Sequence, residues 1–285
     1  MLIEMININS LLNEGQKILS NSSIKTSMLD AEILLCCALK RSLKEVVIDR
    51  NIKIKTNQIN IYKDLIRRRK LGEPVAYIVK NKEFWNHSFY VDRNVLIPRP
   101  DSEIIIEEAL KILDRKDKGF ILDIGTGSGC LVISLAKERP NFFYSAIDIS
   151  KKAIKVAKIN AKMHQLENRI KFYQSCVDNF FKGKYDLIIS NPPYINKFKL
   201  KYLDKDIFGF EPLIALEGGL DGSSILNKVI KKSSSLLKVG GKLILEIGFD
   251  QKLKTMKFLK NEGFYVNKVV KDYGNNDRCI VSTKI

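Results

Sequence analysis

The stretch Phe120-Ile-Leu-Asp-Ile-Gly-Thr-Gly-Ser-Gly-Cys-Leu-Val-Ile-Ser-Leu-Ala-Lys-Glu138 passes from an apolar run, through three glycines, into a segment of helical texture. Strand, glycine-rich turn and helix, in that order, form the context that a nucleotide-binding loop requires. Gly125, Gly127 and Gly129 permit backbone conformations that other residues resist, and they let a ligand approach the main chain closely. Their spacing is Gly-x-Gly-x-Gly, not the Gly-x-Gly-x-x-Gly of dinucleotide sites. The next apolar run, FFYSAID, ends on Asp148, and a carboxylate there can accept hydrogen bonds from both hydroxyls of a ribose. A glycine turn alone can serve packing. With Asp123 before it and Asp148 after it, the set favours an adenosine-bearing ligand.

Working outward, FILDIG, FFYSAID, RIKFYQS, YDLIIS and GKLILEIG alternate with helical stretches such as KKAIKVAKINAKM. This alternation predicts an α/β fold with a mostly parallel sheet covered on both faces. GFYVNKVV and CIVSTK read as an antiparallel edge pair. The connection from Tyr194 to about Gly222 is long, and such loops in a folded domain are usually functional or mobile. Before residue 80 the texture is helical. One helix is predicted to start at Ser10, a second after a capping box at Ser27-Met-Leu-Asp30, and a third after Thr56, ending in the basic run Arg67-Arg68-Arg69-Lys70. FWNHSFYVDRNVLIP, Phe84 to Pro98, reads as a β-hairpin with its turn at Asp92-Arg-Asn94. IPRPDSE then opens a helix, with Pro100 in the first turn and Asp101 or Ser102 as its cap.

The 285 residues suffice for one large or two ordinary domains, and a composition 45% apolar and 28% charged is that of a soluble globular protein. No stretch approaches the roughly 20 apolar residues that cross a bilayer. The opening MLIEMININSLLNE lacks the pattern of a secretory leader. Cys36, Cys37, Cys130, Cys176 and Cys279 form no Cys-x-x-Cys pair, which points to reduced packing residues in a cytoplasm. With His87 and His164 the only histidines, neither a histidine-based metal site nor a triad is expected. The net charge of +17 suits a polyanionic partner, yet lysines are scattered almost everywhere with no single stripe, which favours the plainer reading of a solvated lysine-rich surface.

Behind YDLII stands Ser190-Asn-Pro-Pro-Tyr-Ile195. It follows the fourth strand of the alternating region, so it falls at the carboxyl edge of the sheet, where open α/β folds bind ligands. The glycine loop resembles the S-adenosylmethionine loop of class I methyltransferases. That resemblance implies cofactor contacts from Asp123, Gly125, Thr126, Gly127, Ser128, Gly129 and Asp148, with Asp178 and Asn179 at the adenine. Asn-Pro-Pro-Tyr resembles the (Asp/Asn)-Pro-Pro-(Tyr/Phe) motif of methyltransferases acting on planar nitrogens. The Asn191 side-chain oxygen and the Pro192 carbonyl could each take one N–H, the prolines 192 and 193 would hold that carbonyl, and Tyr194 could stack on the planar group. The motif alone allows adenine N6, cytosine N4 or a glutamine side chain.

GEPVAYI, EFW, VLIPRPDSE, LDIGTGSG, SNPPYI, EPLIALEGGLDG, LEIG and KDYGNNDR, in order from Gly72 to Arg278, together resemble the release-factor glutamine N5-methyltransferases. The chain departs from that pattern at Lys80 and Asn86, where related chains often carry glycine. The resemblance implies a small N-terminal helical domain that grips the release factor (1–80), a β-hairpin linker (81–98) and a Rossmann-like, seven-stranded methyltransferase domain (99–285). It implies a cytoplasmic enzyme that methylates the glutamine of the Gly-Gly-Gln motif in class I peptide-chain release factors. S-adenosylmethionine would be consumed and S-adenosylhomocysteine left, with no metal, membrane or direct nucleic-acid binding required. Asn191, Pro192, Pro193 and Tyr194 would form the glutamine pocket, with Asn191 also bordering the cofactor. A sister group acting on a ribosomal protein shares the tetrapeptide and is the alternative, ahead of a nucleic-acid amino-methyltransferase.

Overall fold

Apolar residues at helical spacing close a helical unit of their own in the N-terminal part of the chain. The computed structural model describes residues 7–48, 54–114 and 117–285; the first residues, on which the absence of a leader was read, lie partly outside the described residues. The helices are α1 (Ile8–Ser20), α2 (Ser27–Leu39), α3 (Leu43–Ile48), α4 (Thr56–Lys70) and α5 (Val75–Val79). They bury Ile8, Leu11, Leu34, Leu35, Tyr62 and Leu65 in one core. This unit takes in Met1–Lys80 together with Asp204–Phe210 from the long connection.

Three helix starts differ from expectation, each for a local reason. α1 begins before Ser10, because Asn7 accepts from Ser10 N (2.9 Å) while Ser10 Oγ accepts from Asn7 N (3.2 Å). Ser10 is thus the third residue of a capping box and not its cap. No box forms at Ser27, because Asp30 is turned inward onto Arg69 (2.7 Å). Thr56 is the first helical residue, and Gln58 Oε1 reaches back to Lys55 N (3.0 Å). The three arginines of the basic run are individually paired: Arg67 with Asp64, Arg68 with Glu73, and the buried Arg69 with Asp30.

The second unit takes in Asn81–Leu203 and Glu211–Ile285. It opens on β1 (Lys82–Phe84) and β2 (His87–Phe89), paired antiparallel with Phe84 opposite His87. The turn is therefore Trp85-Asn86, not Asp92-Arg-Asn94. Both turn residues have positive φ (49° and 57°), the conformation of a two-residue turn whose twist matches the strands. Asp92 instead accepts from Asn94 N (2.9 Å), a local loop on extended chain. Lys80 and Asn86, the two departures from glycine, both have positive φ (55° and 57°), which explains the preference for glycine there.

After α6 (Glu103–Leu113) come β3 (Phe120–Ile124), α7 (Cys130–Glu138), β4 (Phe143–Asp148), α8 (Lys151–Met163), β5 (Ile170–Gln174) and β6 (Tyr185–Ser190). The long connection carries α9 (Lys205–Phe210), and the chain closes with α10 (Ser224–Leu236), β7 (Leu237–Glu246), α11 (Lys252–Asn261), β8 (Phe264–Lys271) and β9 (Asp277–Lys284). The seven-stranded sheet runs β5-β4-β3-β6-β7-β9-β8, parallel except for β9, which is antiparallel to both neighbours. Alternate residues of each strand face opposite sides. Ile121, Leu187, Ile189 and Ile244 meet α6 and α7 on one face, while Leu122, Ile188, Leu243 and Leu245 meet α10 and α11 on the other. Strand order reverses at β3, between β4 and β6, so the carboxyl ends of these strands are the place for a ligand.

Candidate active site

A cavity of about 550 Å³ opens at that edge. Its walls come from the glycine loop, the end of β4, the turn after β5, Asn191 to Pro193 and the segment from Pro212 to Glu217.

The three glycines do different work. Gly125 (φ 77°) and Gly127 (φ 55°) have open space where a side chain would start, so there the main chain itself faces the cavity. At Gly129 (φ 83°) a Cβ would meet Ile133 Cδ1 at 3.0 Å and Ala157 Cβ at 3.2 Å, so that glycine serves close packing and is not in the wall. Gly125 N and Thr126 N both donate to Ile147 O (2.9 and 3.0 Å), hanging the loop on β4. Asn160, wholly buried, donates to Ser128 O (2.8 Å) and Tyr90 O (2.9 Å), which ties the loop to the chain after the hairpin.

Asp148 lines the cavity and already accepts from Gly127 N (2.9 Å) and Ser150 N (2.8 Å), one on each oxygen. Each oxygen keeps a further lone pair for a ligand hydroxyl. Burial raises its pKa, opposed by the Ser150 and Gly127 amides. Asp123 sits behind the loop, fully buried and outside the wall, where it accepts from Thr126 Oγ1 (2.7 Å). Burial pushes its carboxyl up to about 7, against the Thr126 hydroxyl and the Val132 amide, which favour the anion. Thr126 and Ser128 line the cavity. Asp178 and Asn179 do not: Asp178 is turned to Lys228 (3.0 Å), and Cys176 and Val177 form the wall instead. Exposed main chain at Gly125 and Gly127, a carboxylate at Asp148 and apolar surface at Ile149 and Val177 fit an adenosine-bearing group.

The tetrapeptide leaves β6 with Ser190 Oγ bonded to Ile124 O (2.6 Å), which locks the two strand ends together. Asn191 Nδ2 donates to Ser102 Oγ (2.9 Å). Among the described residues no donor reaches Asn191 Oδ1 or the Pro192 carbonyl, so both remain available as acceptors, and both residues line the cavity with Pro193. Tyr194 lies outside the wall. Its hydroxyl is drawn into a buried polar cluster, donating to Glu246 Oε1 (3.2 Å) and accepting from Arg278 Nη1 (3.4 Å).

Sequence reasoning passed over two residues of this cluster. Ser102, expected as a helix cap, makes no capping bond and donates to Glu246 Oε2 (2.6 Å). Glu246, 2% exposed at the end of β7, has its carboxyl pushed up to about 7 by burial, against the Ser102, Arg278 and Tyr194 contacts that favour the anion. A glutamate inside the otherwise apolar LILEIG was the available signal. The segment from Glu211 to Gly222 packs tightly on the tetrapeptide. Arg99 pairs with Glu211, Ile195 N donates to Leu216 O (3.0 Å), and Gln251 Nε2 bridges Tyr194 O (3.1 Å) and Gly222 O (2.9 Å). Among the described residues no group of histidine, cysteine or carboxylate side chains could hold a metal, and no helix is long and apolar enough to cross a membrane.

Two family models match: the PrmC N-terminal domain over residues 10–79 and the methyltransferase small domain over 105–206. The chain is 39% identical over 281 residues to the release factor glutamine methyltransferase of Buchnera aphidicola subsp. Schizaphis graminum, covering 98% of this chain and 100% of that one. It is 38% identical over 263 residues to the protein of the same name from Buchnera aphidicola subsp. Acyrthosiphon pisum, covering 92% and 94%. Among solved structures, the ribosomal protein L11 methylase from Lactobacillus delbrueckii subsp. bulgaricus superposes with a TM-score of 0.51 at 19% identity, over 68% of this chain and 83% of that one, a likeness of fold.

Proposed function

This chain belongs to the release factor glutamine methyltransferase family, and from that premise we propose that it transfers a methyl group from S-adenosylmethionine to N5 of the glutamine in the Gly-Gly-Gln motif of class I peptide-chain release factors. One observation supports this reading above the others: Asn191 and Pro192, whose acceptor oxygens meet no donor among the described residues, border the same cavity as the glycine loop and Asp148.

When bound, S-adenosylmethionine supplies an electrophilic methyl group on a sulfonium. Asp148 would hold the ribose hydroxyls, the Gly125 and Gly127 main chain would leave room for the ligand, and Ile149 and Val177 offer apolar surface to the base. The chemical difficulty lies with the glutamine amide, whose nitrogen lone pair is conjugated with its carbonyl. Asn191 Oδ1 and Pro192 O each accept one amide N–H, fixing the nitrogen and favouring the electron distribution that frees its lone pair. Pro192 and Pro193 have restricted backbones, so the acceptors need little reorganisation at the moment of reaction. The nitrogen gains a methyl group and gives up one proton to water.

The helical unit, Met1–Lys80 with Asp204–Phe210, is proposed to grip the release factor, and the cytoplasm is the proposed compartment. The test is incubation with radiolabelled S-adenosylmethionine and either a class I release factor or naked nucleic acid. Label should appear on the peptide carrying Gly-Gly-Gln, one methyl heavier by mass spectrometry. Label entering RNA or DNA, with the release factor unlabelled, would refute the assignment.

A further inference from the structure

The buried polar groups behind the tetrapeptide form a directed chain, and every bond in it runs toward one carboxylate. Asn191 Nδ2 donates to Ser102 Oγ (2.9 Å), which donates to Glu246 Oε2 (2.6 Å). From the other side, Arg278 Nη1 donates to Tyr194 Oη (3.4 Å), which donates to Glu246 Oε1 (3.2 Å). An ionised carboxylate has only lone pairs to offer, and an amide nitrogen only hydrogens. A hydroxyl has a single hydrogen. Committed to Glu246, the Ser102 hydroxyl can meet Asn191 only with a lone pair. Nδ2 must therefore face Ser102, and Oδ1 must face away from it.

We propose that Glu246 is a positioning residue for the methyl transfer, holding Asn191 through Ser102 in the orientation that presents Oδ1 to the substrate nitrogen. This rests on the reading of Asn191 as the acceptor for the glutamine N–H. The same carboxylate braces the other end of the tetrapeptide, so Asn191 and Tyr194 hang on its two oxygens. Topology explains how a residue so distant in sequence comes to do this. β6 and β7 run parallel with Ser190 opposite Leu245, so Asn191 and Glu246 leave their strands side by side. β9 pairs Cys279 with Glu246, which brings Arg278 to the cluster.

Protonation reverses the sense of the chain. A neutral Glu246 can donate to Ser102, whose hydrogen then turns toward Asn191 and prefers Oδ1. The inverted amide would offer N–H to the substrate's own N–H, donor against donor. The groups facing Glu246 are Ser102 and Asp101 before α6, Tyr194 after β6, and Arg278 on β9 with Asp272 bound to it (2.9 Å). The Cys130 and Cys279 thiols also feel its charge. Burial outweighs the three contacts favouring the anion and lifts the carboxyl to about 7. Turnover therefore rises with pH through that value, where an ordinary glutamate would already be ionised.

The first readout needs no turnover. In the cofactor-free chain labelled with ¹³C at glutamate Cδ and ¹⁵N at asparagine Nδ2, the Glu246 and Asn191 resonances should titrate with one midpoint near 7. Ser102→Ala should uncouple the Asn191 response. In the release-factor assay, Glu246→Gln should lower kcat about 10- to 100-fold and abolish the rising pH limb, with cofactor affinity within about threefold of wild type. Ser102→Thr, which keeps the hydroxyl, should keep the limb. Tyr194→Phe removes one bond that favours the anion, so it should move the limb to higher pH; it carries the kinetic test if Glu246→Gln does not fold. An Asn191 resonance indifferent to Glu246, or a limb unmoved in these variants, overturns the proposal. Wild-type enzyme that never methylates release factor while the two resonances stay coupled would instead strike the functional reading.

Discussion

Asn191→Ala separates acceptor chemistry from scaffolding, and the structure sets both magnitudes. The change removes Oδ1, one of two acceptors placed for the substrate N–H, and Nδ2, the donor to Ser102 Oγ at 2.9 Å. Losing one preorganised hydrogen-bonding group aimed at a reacting centre costs about 2.7–4 kcal/mol of transition-state stabilisation, or roughly 10²–10³ in kcat. The structural cost is smaller. Ser102 loses one incoming bond but keeps its donation to Glu246, so stability should fall by about 1 kcal/mol. A domain of this size then loses about 2–4 °C in Tm. The cavity wall at Gly125, Gly127 and Asp148 is untouched, so cofactor affinity should hold within about twofold, a change of roughly 0.4 kcal/mol. Single-turnover methyl transfer at saturating cofactor, calorimetric cofactor titration and a thermal melt give the three numbers. A cofactor affinity that falls as far as kcat would refute the reasoning, because Asn191 would then be a cofactor ligand or a prop of the loop.

Asp148→Ala should do the reverse: cofactor affinity falls at least about 10-fold, 1.4 kcal/mol, while kcat at saturation changes little; a collapse of kcat at unchanged affinity would count against Asp148 as the ribose partner. Arg69→Met strips the buried Asp30 (5% exposed) of its partner at 2.7 Å, and urea unfolding should register a loss of about 3–5 kcal/mol from the helical unit. A cost below about 1 kcal/mol would mean that water or another cation replaces it. Asp123, with its folded-state pKa raised to about 7 from an ordinary 3.8, favours the folded chain fully below about pH 4 and loses that contribution as pH rises through about 7. Urea midpoints of cofactor-free Asp123→Asn should thus decline less than wild type between about pH 4 and pH 8, and parallel slopes would show that the buried carboxyl is not responsible.

Much of the fold was legible because its signals are local. A strand such as FILDIG and a helix such as CLVISLAKE follow from short-range periodicity, and burial on both faces makes the strands continuous apolar runs. The readings that moved depended on competition between local and distant partners. Asp30 has the spacing of a capping residue, but a buried arginine across the helical unit outbids a solvent-exposed cap. Trp85-Asn86 carries little turn signal in sequence, because tryptophan rarely takes the positive φ it has here. Asp92-Arg-Asn94 has the stronger turn composition. Burial of Phe84 and Phe89 against the sheet's core, a tertiary effect, fixes the tighter register.

For the site, the line between legible and illegible falls between the main chain and the side-chain network. Loops at the carboxyl ends of parallel strands converge by topology alone, so Gly125, Asp148 and Asn191 meet in one cavity whatever their side chains do. The direction in which a side chain turns is different information. Tyr194 has a flat face fit for stacking, yet its hydroxyl needs a partner when buried, and Glu246 and Arg278 supply two. Asp178, expected at an adenine from its position after the third strand of the alternating region, lies outside the cavity wall with Lys228 at 3.0 Å. Glu246 reads in sequence as one acid ending an apolar run. Its significance appears only when α6, β6 and β9 bring Ser102, Tyr194 and Arg278 to it, from 144, 52 and 32 positions away along a chain of 285. A buried carboxylate held by the Ser102 and Tyr194 hydroxyls is costly unless those bonds are kept. That cost is what makes the orientation of Asn191 a property of the whole sheet edge, and not of the tetrapeptide that carries it.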